Sequence, residues 1–302
     1  MLRHFSALFA ALLGLAGLSQ PAFAAECLLG SPGTTQRIAV GATGRSMEVH
    51  VPAGAIRMRD LPIVFLLHGS GGTGAAMLKS SGLAATSDKH GFLLAAPDAG
   101  IPVERGFVWN IPGVPTITGA IPAEGDADDV AFIGETIDWL ARMGCIDRER
   151  VYATGLSGGG RMTSWLGCVA ADRFAAIAPV VGLRAGNPLA ANPSKPDPVT
   201  CRPSRPVPVL AFAGETDTTN PVAGGGAGYW QYSMLAGMTR WAELNGCRQG
   251  PIARALSATR WEYGWTQCRG GADTTAHLVT DAGHVWAADN DSLWDFFRRH
   301  RR

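Results

Sequence analysis

The sequence has 302 residues, of which 46% are hydrophobic and 17% charged, and its formal net charge is +1 at pH 7. This composition is typical of a globular chain with a large core and excludes an intrinsically disordered protein. The near-neutral charge argues against nucleic acid or an anionic membrane surface as the partner.

The first 24 residues have the pattern of a secretory signal peptide. Arg3 provides a positive start, Leu8 to Leu18 an apolar centre, and Ala22-Phe23-Ala24 a cleavage site. The apolar centre is too short to span a membrane. We therefore expect export, either to the periplasm or out of the cell, and a mature domain over 25–302.

Strands and helices are predicted to alternate along the mature chain. Continuous apolar or β-branched runs predict strands at 36–40, 46–51, 63–67, 92–96, 151–153, 175–181, 207–213, 260–265 and 277–280. Helical spacing of apolar residues predicts helices at 75–90, 130–142, 161–169, 229–244 and 291–299. This alternation predicts one α/β domain, a mostly parallel sheet with helices on both faces. A glycine-rich run at 224–228 indicates a small lid-like insertion over about 218–270.

The stretch Gly155-Leu156-Ser157-Gly158-Gly159 is a G-x-S-x-G pentapeptide between a predicted strand and a predicted helix. This is the context of a nucleophile elbow, a sharp turn that exposes the serine hydroxyl. The glycines leave room where a Cβ would clash, and the helix N-terminus can stabilise an oxyanion. The alternative is a glycine-rich loop whose serine has no catalytic role, and the flanking strand and helix favour the elbow.

A serine nucleophile needs a base and an acid that orients the base. In open parallel sheets, functional residues follow the carboxyl ends of strands. Asp217 follows the strand 207–213, and His284 follows 277–280. The resulting chain order Ser157, Asp217, His284 is that of an α/β-hydrolase. Glu215 is the main alternative to Asp217 as the acid. Otherwise Glu215 is an ordinary carboxylate on a solvent-exposed loop.

The loop after the strand 63–67 is predicted to complete an oxyanion hole. One backbone donor is expected to be the N–H of Gly158 and the other the N–H of Ser70. His68 is interpreted as a structural residue that braces this loop.

The same loop allows a competing interpretation. Gly69, Gly71 and Gly74 form G-x-G-x-x-G after a strand, with Asp98 about 20 residues on, as in a dinucleotide-binding fold. A secreted Rossmann oxidoreductase would leave the signal peptide, the elbow and His284 unexplained. A carbohydrate-binding module without catalysis, using tryptophans as a stacking surface, is a third class of protein. The ordered serine, aspartate and histidine argue against it.

Six cysteines remain after the predicted cleavage: Cys27, Cys145, Cys168, Cys201, Cys247 and Cys268. An even number in an oxidising compartment predicts three disulfides, with 15 possible connectivities. Cys247 and Cys268 enclose one short segment of the chain, so a disulfide between them is the first pairing that we predict. The pairing of the other four cysteines stays open. No C-x-x-C or H-E-x-x-H pattern is present, so neither a metal site nor a cofactor is expected.

Several motifs together resemble the secreted polyhydroxybutyrate depolymerase and feruloyl esterase group. These motifs are Leu67-His68-Gly69, Asp128-Asp129-Val130, the stretches 150–159 and 174–179, Asn245-Gly246-Cys247 and Gly283-His284-Val285-Trp286. The resemblance covers roughly 62–286 and implies an α/β-hydrolase fold and ester hydrolysis through an acyl-enzyme. It also implies Ser157 as nucleophile, Asp217 as acid and His284 as base, and it supports a Cys247–Cys268 bridge.

The expected substrate is a short-chain or hydroxycinnamoyl ester, soluble or linked to an oligosaccharide, and the expected state is a monomer. Polyhydroxybutyrate is the alternative substrate. It ranks lower because Ser70 stands where depolymerases often have cysteine and no linker with a polymer-binding domain follows. Trp109, Trp230 and Trp286 are candidates for an aromatic substrate wall, with ordinary core packing as the other interpretation.

Overall fold

The computed structural model of the chain describes Cys27, 29–55 and 59–302. The signal peptide predicted over 1–24 lies outside these residues. Within the described ranges, no helix is long and apolar enough to cross a membrane.

A ten-stranded sheet forms the centre of the molecule. In chain order its strands are β1 (Thr35–Ala39), β2 (Ser46–His50), β3 (Leu61–Leu67), β4 (Leu93–Pro97), β7 (Ile146–Leu156), β8 (Ala176–Val180), β11 (Val209–Gly214), β12 (Gln249–Ser257), β13 (Arg260–Thr266) and β14 (Thr274–Val279). Two short hairpins lie outside it: β5 (Ile101–Pro102) with β6 (Phe107–Val108), and β9 (Pro188–Leu189) with β10 (Asn192–Pro196).

The sheet is parallel in its middle and antiparallel at both edges. Its order is β1-β2-β4-β3-β7-β8-β11-β14-β13-β12, and the six strands from β4 to β14 run parallel. The parallel strands are nearly continuous apolar runs because helices cover both of their faces. In β3, Phe65 packs into the hydrophobic cluster on one face and Leu66 into the cluster on the other. The predicted α/β fold with a mostly parallel sheet is therefore confirmed.

Six helices in the described part of the chain divide between the two faces. They are α1 (Gly74–Ser81), α2 (Leu83–His90), α3 (Asp129–Arg142), α4 (Gly158–Val169), α5 (Met234–Asn245) and α6 (Asn290–Phe297). Buried residues of α3, α4 and α5 belong to one cluster and those of α1, α2 and α6 to the other. The sheet is thus the middle layer of a three-layer structure.

The single helix predicted over 75–90 is wrong, because the structure has two helices there. Gly82 adopts a left-handed conformation with φ of 66°, which ends α1 and begins α2. Glycine takes this conformation at little cost, so a helix can break at Gly82 although the apolar spacing continues across it. The helix predicted over 229–244 begins later, at Met234, where the side chain of Ser233 accepts a hydrogen bond from the N–H of Ala236.

The segment 218–270, for which the sequence predicts a lid-like insertion, is divided into three parts. Residues 218–233 form turns beside the end of β11. Helix α5 then packs its buried face against the sheet, where Trp241 is fully enclosed. Strands β12 and β13 extend the sheet at its edge, since β13 pairs with β14 from Arg260 to Trp265. A lid can therefore include at most the turns of 218–233.

Three disulfides join all six cysteines: Cys27–Cys145, Cys168–Cys201 and Cys247–Cys268. The last pair is the one expected first from the sequence. The predicted presence of three bridges is confirmed, and the structure supplies the two connectivities that the sequence left open.

Candidate active site

Ser157 lies on a strained turn between β7 and α4. Its φ of 55° and ψ of −111° are rare for a residue with a side chain. The turn depends on its glycines, because a Cβ on Gly159 would lie 2.1 Å from the carbonyl oxygen of Leu67. A Cβ on Gly155 would lie 2.7 Å from the backbone of Gly159. This geometry is that of a nucleophile elbow.

Asp217 lies in the loop after β11 and is buried. Its Oδ1 accepts hydrogen bonds from the backbone N–H groups of Thr219 and Asn220, both at 2.8 Å. These two bonds hold the carboxylate in one orientation, with Oδ2 directed towards His284. Glu215, the alternative acid, is exposed on the same loop.

His284 follows β14, and its Nδ1 is 2.8 Å from Oδ2 of Asp217. A carboxylate accepts hydrogen bonds, so the proton of the neutral imidazole is assigned to Nδ1, which leaves Nε2 as an acceptor. The two loops are joined by a hydrogen bond from the Thr216 N–H to the Ala282 carbonyl, at 3.1 Å. The pair therefore has the layout of a general base with its orienting acid.

Three loops that begin at the carboxyl ends of β7, β11 and β14 carry the three candidate residues. These strands are parallel and lie within four neighbouring positions of the sheet, with only β8 between β7 and β11. Ser157 Oγ makes no hydrogen bond to another described residue, so the structure shows no hydrogen bond between Ser157 and His284. Such bonds are often long in free enzymes and tighten when substrate binds.

The two predicted oxyanion donors lie against each other. A Cβ on Gly158 would be 2.8 Å from the backbone nitrogen of Ser70, and a Cβ on Gly69 would be 3.7 Å from Cβ of Ser157. The Ser70 N–H donates to no other described residue, and the Gly158 N–H is in the first turn of α4, where amides lack helical partners. Both donors are available to an oxyanion at Ser157.

His68 braces the loop that carries Ser70. Its Nδ1 is 2.7 Å from the carbonyl oxygen of Gly69, and its Nε2 accepts a hydrogen bond from the N–H of Ala99 at 2.9 Å. Burial lowers the pKa of His68, so the imidazole stays neutral and both ring nitrogens are used. The predicted structural role of His68 agrees with these contacts.

The three tryptophans predicted to form an aromatic wall have mainly structural contacts. The Trp109 indole is buried, packs on His68 and donates to its carbonyl oxygen at 2.7 Å. Trp230 is also buried and donates to the carbonyl oxygen of Pro221. Trp286 donates to Asn290 and packs against the cluster beneath α6. Of the three, Trp109 lines a small cavity together with the predicted oxyanion donors Ser70 and Gly158.

Asp98, the acidic residue of the competing dinucleotide motif, is used in the fold. Its Oδ2 pairs with Arg37 and its Oδ1 accepts from the N–H of Gly74, both at 2.8 Å. A Cβ on Gly74 would lie 2.0 Å from the carbonyl oxygen of Ala96, so this glycine permits close packing of the loop on β4. The glycine pattern therefore reflects packing around the elbow rather than a phosphate cradle.

Two buried arginines beside the site, Arg161 and Arg184, are not among the residues that the sequence motifs predict to be functional. Arg161 is on α4, one turn after Ser157, and its Nη2 donates to Ser70 Oγ at 3.2 Å. Arg184 lies in the loop after β8, over the ring of Tyr232. The signal that could have found Arg161 is a charged residue at a helix position that must face the sheet. No comparable signal marks Arg184.

The parallel sheet, the elbow and the order of the candidate residues define the α/β-hydrolase fold. A family profile described as the prolyl oligopeptidase family matches residues 124–185, which include the elbow strand, Ser157 and α4. The acetyl xylan esterase from Aspergillus awamori superposes with a TM-score of 0.61 at 17% identity, over 88% of this chain and 99% of that one. This likeness confirms the predicted fold.

Two curated relatives confirm the resemblance seen in the motifs. Feruloyl esterase B of Piromyces equi is 28% identical over 261 residues, 84% of this chain and 45% of the relative. Poly(3-hydroxyalkanoate) depolymerase C of Paucimonas lemoignei is 34% identical over 138 residues, 45% of this chain and 31% of the relative. The chain thus spans less than half the length of either relative.

Proposed function

We propose that the protein is a serine carboxylic ester hydrolase that acts through an acyl-enzyme. The observation that carries this proposal is the Asp217–His284 hydrogen bond at the strand ends beside the strained Ser157. The carboxylate of Asp217 is buried and accepts two backbone hydrogen bonds, and it holds Nδ1 of His284. Nε2 of the same ring is then free to take the proton of a neighbouring hydroxyl.

The reaction follows from the roles of these groups. Ser157 Oγ attacks the ester carbonyl carbon while Nε2 of His284 accepts its proton. The negative charge on the carbonyl oxygen is stabilised by the N–H groups of Ser70 and Gly158. The intermediate then expels the alcohol, which takes the proton from His284. A water molecule, activated by the same histidine, attacks the acyl-enzyme, and the acid is released as Ser157 regains its proton.

Short-chain and hydroxycinnamoyl esters are the proposed substrates. The feruloyl esterase and depolymerase relatives support ester hydrolysis in general. The buried Trp109 and Trp230 offer little surface for stacking a flat acyl group, so the preference for hydroxycinnamoyl esters should be modest. Polyester hydrolysis is the second candidate, supported by the depolymerase relative. The three disulfides suit an exported protein, as the predicted signal peptide requires.

The experiment is covalent labelling together with an ester panel. A phosphonate directed at active serines should label Ser157 once per chain, and Ser157→Ala should abolish the label and lower kcat by about 10⁶. Nitrophenyl acetate, methyl ferulate and a polyhydroxybutyrate suspension form the panel. An alanine variant with a tenth of the wild-type kcat would contradict the mechanism. Clearing of the suspension as fast as soluble esters are hydrolysed would make the polyester the main substrate.

A further inference from the structure

Two arginines buried beside the candidate nucleophile have no carboxylate partner. Arg161 and Arg184 are each 5% exposed. In the part of the chain that the structure describes, no acidic side chain pairs with either guanidinium. Nη1 of Arg161 and both terminal nitrogens of Arg184 have no hydrogen-bond acceptor in the protein. Buried charges are ordinarily paired, because an unpaired one loses its hydration without compensation.

Both arginines make cation–π contacts with aromatic rings, which do not accept hydrogen bonds from the guanidinium N–H groups. The guanidinium of Arg161 lies 4.1 Å from the ring centroid of Tyr229, and that of Arg184 lies 3.7 Å from the ring centroid of Tyr232. A ring face attracts the cation but accepts none of the in-plane hydrogen bonds that a guanidinium donates. The donors at the edges of both side chains therefore stay free.

Elsewhere in the same protein, a partly buried arginine with 20% of its side chain exposed has both an aromatic ring and an acid as partners. Arg45 lies 3.8 Å from the ring centroid of Phe132, much as Arg161 lies over Tyr229, and it also donates to Oδ1 of the buried Asp129 at 2.6 Å. Arg161 has the ring and lacks the acid. Arg161 therefore lacks the carboxylate partner that Arg45 has.

The two arginines line two small cavities, one of which is also lined by the predicted oxyanion donors. Ser70, Gly158 and Arg161 line one cavity, and Arg161 and Arg184 line the other; each has a volume of about 10 Å³. Arg161 belongs to both linings. The position of its guanidinium therefore connects the place where an ester carbonyl would bind with the unpaired donors of Arg184.

We propose that Arg161 and Arg184 form a subsite for a carboxylate carried by the ester substrate, a few bonds from the scissile carbonyl. This inference rests on the proposed ester hydrolysis. A planar carboxylate can accept two parallel N–H bonds from a guanidinium, and such charge-assisted bonds are strong where water is excluded. Half-esters of dicarboxylic acids and esters of hydroxy acids have the required group.

The loop over 111–116 has to move for such a group to enter. Ile111 and Val114 line both cavities, and a volume of about 10 Å³ holds one water-sized group. The Asn187 side chain donates to the carbonyl oxygen of Pro112 at 3.1 Å, which fastens this loop beside the second cavity. The proposed subsite requires this hydrogen bond to break and the loop to move outward, so that the two cavities join when a carboxylate binds.

The test compares esters that differ only in one charge. Monomethyl succinate with dimethyl succinate places the carboxylate on the acyl side, and 3-acetoxypropionate with its methyl ester places it on the alcohol side. We expect kcat/KM to favour the acid over the neutral ester at least tenfold in one pair at low salt. In Arg161→Gln and Arg184→Gln this ratio should fall at least tenfold. Arg298→Gln, an exposed arginine paired with Asp295, is the control and should keep the ratio.

The outcomes separate this inference from the proposed function. Hydrolysis of neutral esters at rates equal to or above those of the acids would overturn the carboxylate subsite while ester hydrolysis stands. A preference for the acids that survives both substitutions would place the anion site elsewhere and also overturn it. Absence of hydrolysis for every ester, nitrophenyl acetate included, would end both proposals. If the glutamine variants fail to fold, Arg184→Lys, which keeps the charge, replaces them: it should retain part of the preference, and an unchanged preference in this variant would overturn the subsite.

Discussion

Two histidine–carboxylate pairs lie next to strand β14, and they have opposite layouts. In the pair of Asp217 and His284, the acid side chain is 1% exposed and the histidine 25% exposed. In the pair of Glu262 and His277, the histidine is 8% exposed and the acid 21% exposed. The contact is also shorter in the first pair, at 2.8 Å against 3.3 Å.

The opposite exposure of acid and histidine makes only the first pair suitable for proton transfer. His284 has one nitrogen held by a buried acid and the other open to the site, as a general base requires. His277 sits in the middle of β14, edge-on to Phe212, and its Nδ1 has no hydrogen-bond partner. Glu262 is more exposed than His277, and it accepts a hydrogen bond from Nε of Arg254. The second pair ties two strands together and offers no reactive nitrogen.

Replacing each histidine with alanine should give the largest difference in kcat between the two pairs. We expect His284→Ala to lower kcat on nitrophenyl acetate by about 10⁶, comparable to loss of the nucleophile, because the two act as a unit. His277→Ala should change kcat less than tenfold while lowering the melting temperature. Circular dichroism of both variants controls for folding. Similar activity losses in the two folded variants would refute the distinction drawn between the pairs.

The two acids should differ by a smaller factor. Asp217→Asn is expected to lower kcat by up to about 10⁴, because the amide favours the wrong imidazole tautomer. Glu262→Gln and Glu215→Gln should each cost only a few-fold, since neither side chain orients His284. The measurement is kcat with active-site concentration determined by phosphonate titration. A large loss in Glu215→Gln with a small one in Asp217→Asn would move the acid to Glu215.

Removing the Cys247–Cys268 bridge should destabilise the part of the sheet that contains Glu262 without changing the Asp217–His284 pair. It spans 21 positions of chain that include β12 and β13, and hence Glu262 but not Asp217 or His284. Replacing both cysteines with alanine should lower the free energy of unfolding by roughly 3 kcal/mol in the chain-entropy treatment. Urea unfolding measures this loss. The kcat of the remaining folded protein should fall less than tenfold, and a collapse of kcat in protein that stays folded would show that the site depends on this edge.

The smallest expected effect concerns pH and His277. Burial lowers the pKa of His277 below its ordinary value of 6.5, with Arg260 acting in the same direction and Glu262 and Asp289 opposing it. As the pH falls below about 6.5, the unfolded chain therefore binds a proton that the folded chain does not, and stability is lost. His277→Gln should flatten the decline of the melting temperature below pH 6.5. An unchanged slope would mean that His277 is protonated equally in both states.

The strands and the candidate triad could be predicted because their signals are local. The apolar runs of β3, β4, β8 and β11 have to be buried on both faces. A serine between two glycines, placed between a strand and a helix, predicts the elbow. Because parallel strands place their carboxyl ends together, Asp217 and His284 could be selected from their positions after strands. The break at Gly82 and the exposed strand β12 carry no comparable periodicity and were missed.

The fold class and the side chains that follow the ends of strands could be predicted from the sequence, because both depend on patterns repeated every few residues. The pairing of those side chains could not, since it depends on the tertiary structure. The structure holds Asp217 by two backbone hydrogen bonds and against His284, leaves Glu215 exposed, and places Trp230 and Trp286 in packing contacts. It also left Arg161 and Arg184 buried without an acid. Whether a charge finds a partner depends on residues far apart in the chain, which no local pattern encodes.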